Sequence, residues 1–442
     1  MPGTGPHDPR PRPGRRPEAV PVAPASGELT LVSPEGIRCD DDEMTAACAD
    51  RRRYPVPMPI HVVILGAGFG GLELATRLSQ AVADQVRVTI IDQCDAFVFG
   101  FKKLDVMFGL AELESVKCHY RAIDKPSVAF RQERVTSIDP VTRTVVTDAG
   151  RYDADILVVA LGADLDPAAT PGFEEAGHEF YSSDGAARVA QLLPRFDAGV
   201  AVIGVLGPFF KCPPAPNETA FMLHDYFVRR GVRDNVTIHL LSSLSMPIPI
   251  SHDTSSAIVS LLEERGITYW PGVRVTRIDP TAKTAHLSDG RSLDFDLFLG
   301  IPVHCAPPVV VASGLTEDGW IPVDPATFAT RFPDVYAVGD VTSAPVPRAG
   351  IIAEGEAATL ADVLIARITS GAMPPPYKGL AICYVEMGDG TVGRVDVDFM
   401  SGPAPSARFS SPSLQIAEEK RQFGVSRRER WFGQSAGDAA PR

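Results

Sequence analysis

Short apolar runs, largely of β-branched residues, recur along the chain and alternate with amphipathic stretches. Residues 60–65, IHVVIL, form the first run. The glycine turn GAGFGG follows, then the amphipathic stretch LELATRLSQAV, then a second run at 86–91 that ends on Asp92. This order predicts strand, turn, helix, strand, acid: a βαβ unit. A parallel strand is predicted to return at 155–162, and a second βαβ unit at 199–204 and 236–241. Further strands are predicted at 297–300 and 335–340. From about 377 the pattern changes to strict alternation in CYVEMG and VGRVDVDFM, followed by the charged stretch EEKRQFGVSRRERWFG. The predicted fold is therefore α/β, with two Rossmann-like dinucleotide-binding domains of the three-layer ββα type, the second inserted in the first. A small C-terminal α+β segment completes it.

The boundaries follow from the same pattern. Residues 1–58, rich in Pro, Arg, Ala and Asp, predict a disordered leader. The first nucleotide domain is expected at 59–165 and 291–372, the second at 166–290, a C-terminal domain at 373–434 and a disordered tail at 435–442.

Charge narrows the function classes. A formal net charge of -13 argues against a nucleic-acid partner, because phosphate binding needs a basic surface. No apolar run approaches the ~20 residues of a membrane-crossing helix. Arg15-Arg16 is not followed by the apolar stretch an export signal needs. These features predict a cytoplasmic protein. The seven cysteines are widely spaced, with no CxxC pair, so a redox bridge would have to join distant segments. No His, Cys and carboxylate set has metal-ligand spacing.

The glycine turn reads as Gly66-x-Gly68-x-x-Gly71 between a strand and a helix. Gly66 permits the tight turn, Gly68 the approach of a pyrophosphate, and Gly71 close helix–strand packing. The helix N-terminus offers free amides to the anion. Asp92 lies where an acid bonds ribose hydroxyls. A dinucleotide site is predicted.

The corresponding loop of the second unit is different. Gly204 and Gly207 remain, but Pro208, Phe209, Phe210 and Lys211 follow, then Cys212-Pro213-Pro214-Ala215-Pro216-Asn217-Glu218. Bulk keeps a backbone away from phosphate, and proline removes the amide donors. The strand at 236–241 ends in Ser242-Ser243 without an acid. The loop suits nicotinamide dinucleotides poorly. Cys212 stands near the expected start of a helix and beside Lys211, both of which predict a lowered thiol pKa.

VYAVGDV (335–341) and LVVALGA (157–163) resemble the second flavin motif and the Ala/Thr-x-Gly motif of the pyridine-nucleotide-disulfide oxidoreductase superfamily. With GAGFGG they imply FAD, and they add Gly162, Gly339 and Asp340 to the cofactor-binding residues. The pattern GP-x-x-x-C-P-P-A-P-x-E, followed by AICYVEMGDG, resembles the sulfide:quinone oxidoreductases and the flavoprotein of flavocytochrome c sulfide dehydrogenases. That resemblance implies that Cys212 and Cys383 face each other over the flavin. It also implies a sulfide or small-thiol substrate and a quinone acceptor. Glu218 matches a glutamate of the same loop; it reads either as a proton acceptor or tuner of the thiolate, or as a helix-terminal acid stabilised by the dipole. The family's third cysteine has no counterpart in GHEFYSSDGAAR. An NADH:quinone oxidoreductase and an electron-transfer flavoprotein subunit stay open as alternatives, as does a homo-oligomer. The basic tail predicts peripheral contact with the inner face of a membrane through Lys420, Arg421, Arg427, Arg428 and Arg430, with Trp431 and Phe432 at the interface.

Overall fold

A computed structural model describes residues 58–433. The expected terminal tail, Cys39 and Cys48, and the leader up to residue 57 lie outside the described residues.

The apolar runs form two parallel sheets. The first has five strands in the order Val335–Ala337, Ile156–Val159, Ile60–Leu65, Val86–Asp92, Val128–Gln132. Its central strand is flanked on both sides, and Val62, Val63, Ile64 and Leu65 are fully buried. Burial on both faces explains why these strands read as continuous apolar runs. The second sheet also has five strands, ordered His178–Glu179, Leu297–Ile301, Gly199–Val205, Val236–Leu241, Ile267–Trp270. The parallel two-sheet α/β architecture agrees with the expected fold class. A short antiparallel pair, Asp164–Asp166 with Val303–Cys305, ties the two crossover segments together.

The alternating stretches form an antiparallel sheet of Leu380–Glu386, Val392–Asp398 and Ser406–Ser413. Ser413 then caps the helix Leu414–Phe432, its hydroxyl accepting from the amide of Ile416 at 3.2 Å.

This helix corrects the expected position of the tail's aromatic anchors and of Lys420, which lie inside the fold. Trp431 is 0% exposed and Phe432 4%. Trp431 sits edge-on to Phe69 (5.5 Å) and Phe97 (5.8 Å) and stacks on Phe99 (6.1 Å), and such pairs stabilise by about 0.5–1.5 kcal/mol each. Its indole Nε1 donates to Glu73 Oε2 at 2.9 Å, and Arg430 grips the same carboxylate. Arg427 is held by Glu354, Arg421 pairs with Glu418, and Lys420 is buried. Trp431 and Phe432 pack inward, and Lys420, Arg427 and Arg430 turn toward carboxylates of other segments (Glu218 and Glu386, Glu354, and Glu73), whereas Arg421 stays exposed. Among the described residues, no helix is long and apolar enough to cross a membrane.

Candidate active site

Gly66 takes φ +99°, and a Cβ there would stand 2.3 Å from the carbonyl oxygen of Ala160. A Cβ on Gly71 would stand 2.0 Å from the carbonyl oxygen of Gly66, so helix and strand can approach this closely only without a side chain. Gly68 is open instead: a Cβ there meets nothing within 4 Å, and the residue lines a cavity of about 380 Å³. At the N-terminus of the helix Phe69–Val82, that opening is a cradle of the kind a pyrophosphate fills. Asp92 accepts from the amides of Ala67 (2.8 Å) and Cys94 (2.9 Å), bracing the turn with lone pairs to spare.

Gly162 also opens onto free space. The amide of Gly339 donates to Glu356, whose carboxyl burial lifts to about 8, so it carries a proton near neutrality. Asp340 follows and lines the same cavity as Gly68. Burial pushes its carboxyl up, opposed by Lys211, Arg348 and Lys103. The donors and open glycines fit FAD, whose phosphates would meet the first turn.

Cys212 and Cys383 both line this cavity, as free thiols. Cys383 is mid-strand in Leu380–Glu386, opposite Val395. Cys212 precedes the helix Ala215–Arg229 and has φ +60°. Its amide donates to the carbonyl of Arg348 at 2.8 Å.

The expected low thiol pKa is not what the surroundings produce. Burial pushes the Cys212 thiol up, and Glu218 and Cys383 add to the effect. The opposing cation is Lys420, while Lys211 directs its Nζ to the carbonyl of Ala163 at 3.0 Å. Burial, then Glu218, likewise pushes Cys383 up to about 12.

Glu218 is 3% exposed. Its Oε1 accepts from the amide of Glu386 (3.2 Å) and from Lys420 Nζ (3.3 Å), and Lys420 also reaches Glu386 Oε1 at 2.8 Å. Burial raises the Glu218 carboxyl while Lys420 opposes it. A carboxylate–ammonium–carboxylate chain, with Glu218 and Lys420 buried and Glu386 half-buried, therefore runs beside the two thiols. In the cavity wall, Phe423 meets Phe101 (6.4 Å) and Tyr384 (6.1 Å) edge-on, and Lys420 lies 5.2 Å from the Phe101 ring centre.

The structure thus gathers Gly68, Asp340, Cys212, Cys383 and Glu218 around one cavity. Gly66, Gly71 and Asp92 stand behind the first turn; Gly162 and Gly339 are not among the lining residues. Cys305 and His304 do not line it either, although His304 packs edge-on against the lining residue Tyr181 at 5.5 Å. Sequence reasoning missed Lys103, Tyr181 and Glu386, and placed Lys420 on the surface. The last had a signal: Ile416, Lys420, Phe423, Arg427 and Trp431 repeat at helical spacing, which puts the lysine on the buried stripe.

Residues 60–359 match the pyridine nucleotide-disulphide oxidoreductase family. The chain is 22% identical over 387 residues to the mitochondrial sulfide:quinone oxidoreductase of Mus musculus, covering 84% of each protein. It is 25% identical over 243 residues to a type II NADH:quinone oxidoreductase of Staphylococcus saprophyticus, covering 52% of this chain and 60% of that relative. The crystal structure of the Aquifex aeolicus sulfide:quinone oxidoreductase superposes with a TM-score of 0.76 at 22% identity, covering 86% of this chain and 94% of that one. With a matched span that runs from the first strand through the Asp340 turn and a cradle suited to a dinucleotide, the chain belongs to the pyridine nucleotide-disulphide oxidoreductase family and is an FAD-dependent oxidoreductase.

Proposed function

We propose that the chain oxidises sulfide, or a related small thiol or persulfide, at Cys212 and Cys383 and passes two electrons through FAD to a quinone. The observation that carries this reading is the convergence of both thiols, from distant segments, on the cavity that also holds Gly68 and Asp340. The sulfide and quinone in the name of the mouse relative support it.

In the oxidised pair the two sulfurs share a bond. Hydrosulfide attacks one sulfur; a new S–S bond forms as the bridge breaks, leaving a persulfide on one cysteine and a thiolate on the other. The electron pair brought by hydrosulfide then resides on that thiolate. Lys420 offsets its charge, and Glu218, with its raised carboxyl, takes the proton released as the persulfide ionises. FAD, when bound, supplies the two-electron carrier between sulfur and quinone. The aromatic wall of Phe101, Tyr384 and Phe423 suits a flat apolar ring.

The test is anaerobic mixing of the holoenzyme with sulfide or NADH while the flavin absorbance is followed. Bleaching by sulfide, reversed by a soluble quinone, is expected. No bleaching by sulfide with rapid bleaching by NADH overturns the reading.

A further inference from the structure

The side of the cavity next to Cys212 carries two lysines that the sulfur chemistry above does not use. Lys103, on the helix Gly100–Met107, donates from Nζ to the carbonyl of Tyr181 at 2.6 Å. Lys211 donates to the carbonyl of Ala163 at 3.0 Å. Both line the cavity, and among the described residues neither is ion-paired within 4.0 Å. An ammonium has three donors, so each retains donors beyond its single carbonyl.

Two orphaned groups adjoin them. The Tyr181 hydroxyl, on a residue 7% exposed that lines the same cavity, has no hydrogen-bond partner. Behind it, His304 is 6% exposed; its Nδ1 bonds the carbonyl of Pro302 at 2.9 Å, and its Nε2 is unpartnered. Burial and Lys211 push that imidazole down to about 3, so it stays neutral and the positive charge comes from the lysines. Native proteins rarely leave buried polar atoms unpaired without a ligand or water to meet them. Two neighbouring cations repel each other; Asp340 offsets part of their charge without pairing directly with either, and an anion between them offsets more.

We propose that Lys103, Lys211 and the Tyr181 hydroxyl form a site for a small soft monoanion beside Cys212, so that sulfide is taken as hydrosulfide rather than as the neutral acid. The identity of the natural ligand rests on the sulfide reading; the anion site does not. The lysines hold the nucleophile next to the sulfur it attacks and exclude neutral thiols of similar size.

The charged and titratable groups facing Lys103 are Lys211, Glu179, Cys212, Asp340 and the neutral His304. Glu179 is already engaged by the amides of Tyr181 and Ser182 and by Arg188. Burial, and then Lys211, lower Lys103 to about 8. Anion affinity therefore falls as pH rises through that value and the ammonium is lost.

The probe is iodide, titrated into the holoenzyme at constant ionic strength and followed by the difference spectrum of the bound flavin and by tyrosine fluorescence. Saturable binding is expected, weakened at least about tenfold by Lys103→Met and by Lys211→Met, as loss of a charged hydrogen bond implies. Lys103→Arg should keep the affinity and abolish its decline between pH 7 and 9.5, because the guanidinium does not titrate there. If a Met variant fails to retain FAD, the Arg variant's pH profile still decides. Unchanged iodide affinity in the Met variants overturns the site, as does a flat wild-type profile. So does a shifted flavin potential in Lys103→Met with unchanged iodide affinity, which would assign the lysine to the cofactor. Iodide binding in a protein whose flavin sulfide cannot bleach keeps the anion site and removes the sulfide reading.

Discussion

The amide of Cys212 donates to the carbonyl of Arg348 at 2.8 Å while Cys212 holds φ +60°. The Arg348 guanidinium stacks 3.7 Å from the centre of the Trp320 ring and donates to the carbonyl of Asp340. One residue therefore joins the cysteine loop to the Asp340 turn. The left-handed conformation costs a side-chain-bearing residue about 1–2 kcal/mol, so the loop keeps its thiol at the expense of stability. Cys212→Gly should be about 1 kcal/mol more stable than Cys212→Ala, since the relief exceeds glycine's extra unfolded-state entropy. Both should fail to reduce flavin with sulfide. Equal denaturation midpoints would show that the φ value is not a strain the fold maintains.

Residues that act as one redox unit are not additive. Cys212→Ser, Cys383→Ser and the double variant should each lose sulfide-dependent flavin reduction by on the order of a thousandfold, with no further loss in the double. Cys305→Ser is the control, because Cys305 lies on the Asp164–Asp166 tie and outside the cavity. All should retain FAD. A wild-type rate in Cys383→Ser would dissolve the pair.

Glu73 gives a pH signature. Burial alone would raise its carboxyl, but hydrogen bonds from Arg430, Trp431 and Arg77 overcome that and hold it at about 2. A carboxylate depressed in the fold stabilises above its unfolded pKa, and the contribution is lost as pH falls from about 4.5 to about 2. The difference corresponds to about 3 kcal/mol at neutral pH. Glu73→Gln should lose about that much at pH 7, and the gap from wild type should close toward pH 2. Urea midpoints across that range measure it; a pH-independent gap would mean that the carboxylate's charge is not what holds the tail.

NADH should reduce the flavin more slowly than sulfide by orders of magnitude. In the second loop Phe210 is buried and Phe209 stands 62% exposed where a phosphate would need bare backbone. Stopped-flow bleaching by each donor measures it, and comparable rates would favour the NADH oxidoreductase alternative.

Features fixed by backbone geometry were legible in sequence. GAGFGG announces its turn because only glycine tolerates φ +99° at Gly66 and the 2.0 Å approach at Gly71. Buried parallel strands were legible because both faces need apolar residues. Electrostatics were not. Lys420 reads as solvated until Glu218 and Glu386, from other segments, are found beside it. The thiol of Cys212 looked activated because Lys211 and a helix start are adjacent in sequence, whereas its burial is imposed by distant elements. Trp431 and Phe432 read as anchors because a narrow apolar stripe is diluted by charges that Glu73 and Glu354 neutralise.

The helix Leu414–Phe432 has a consequence for biosynthesis. Trp431 packs on Phe69, the residue after Gly68, while Lys420 from the same helix enters the cavity of the two thiols. A nascent chain can assemble both parallel sheets, yet the phosphate turn lacks its supporting wall until Phe432 has left the ribosome. Flavin capture should therefore follow, rather than accompany, translation of the nucleotide-binding segments. Ribosome-bound chains arrested before Leu414 should release FAD on gel filtration, and retention there would show that the turn matures without the helix.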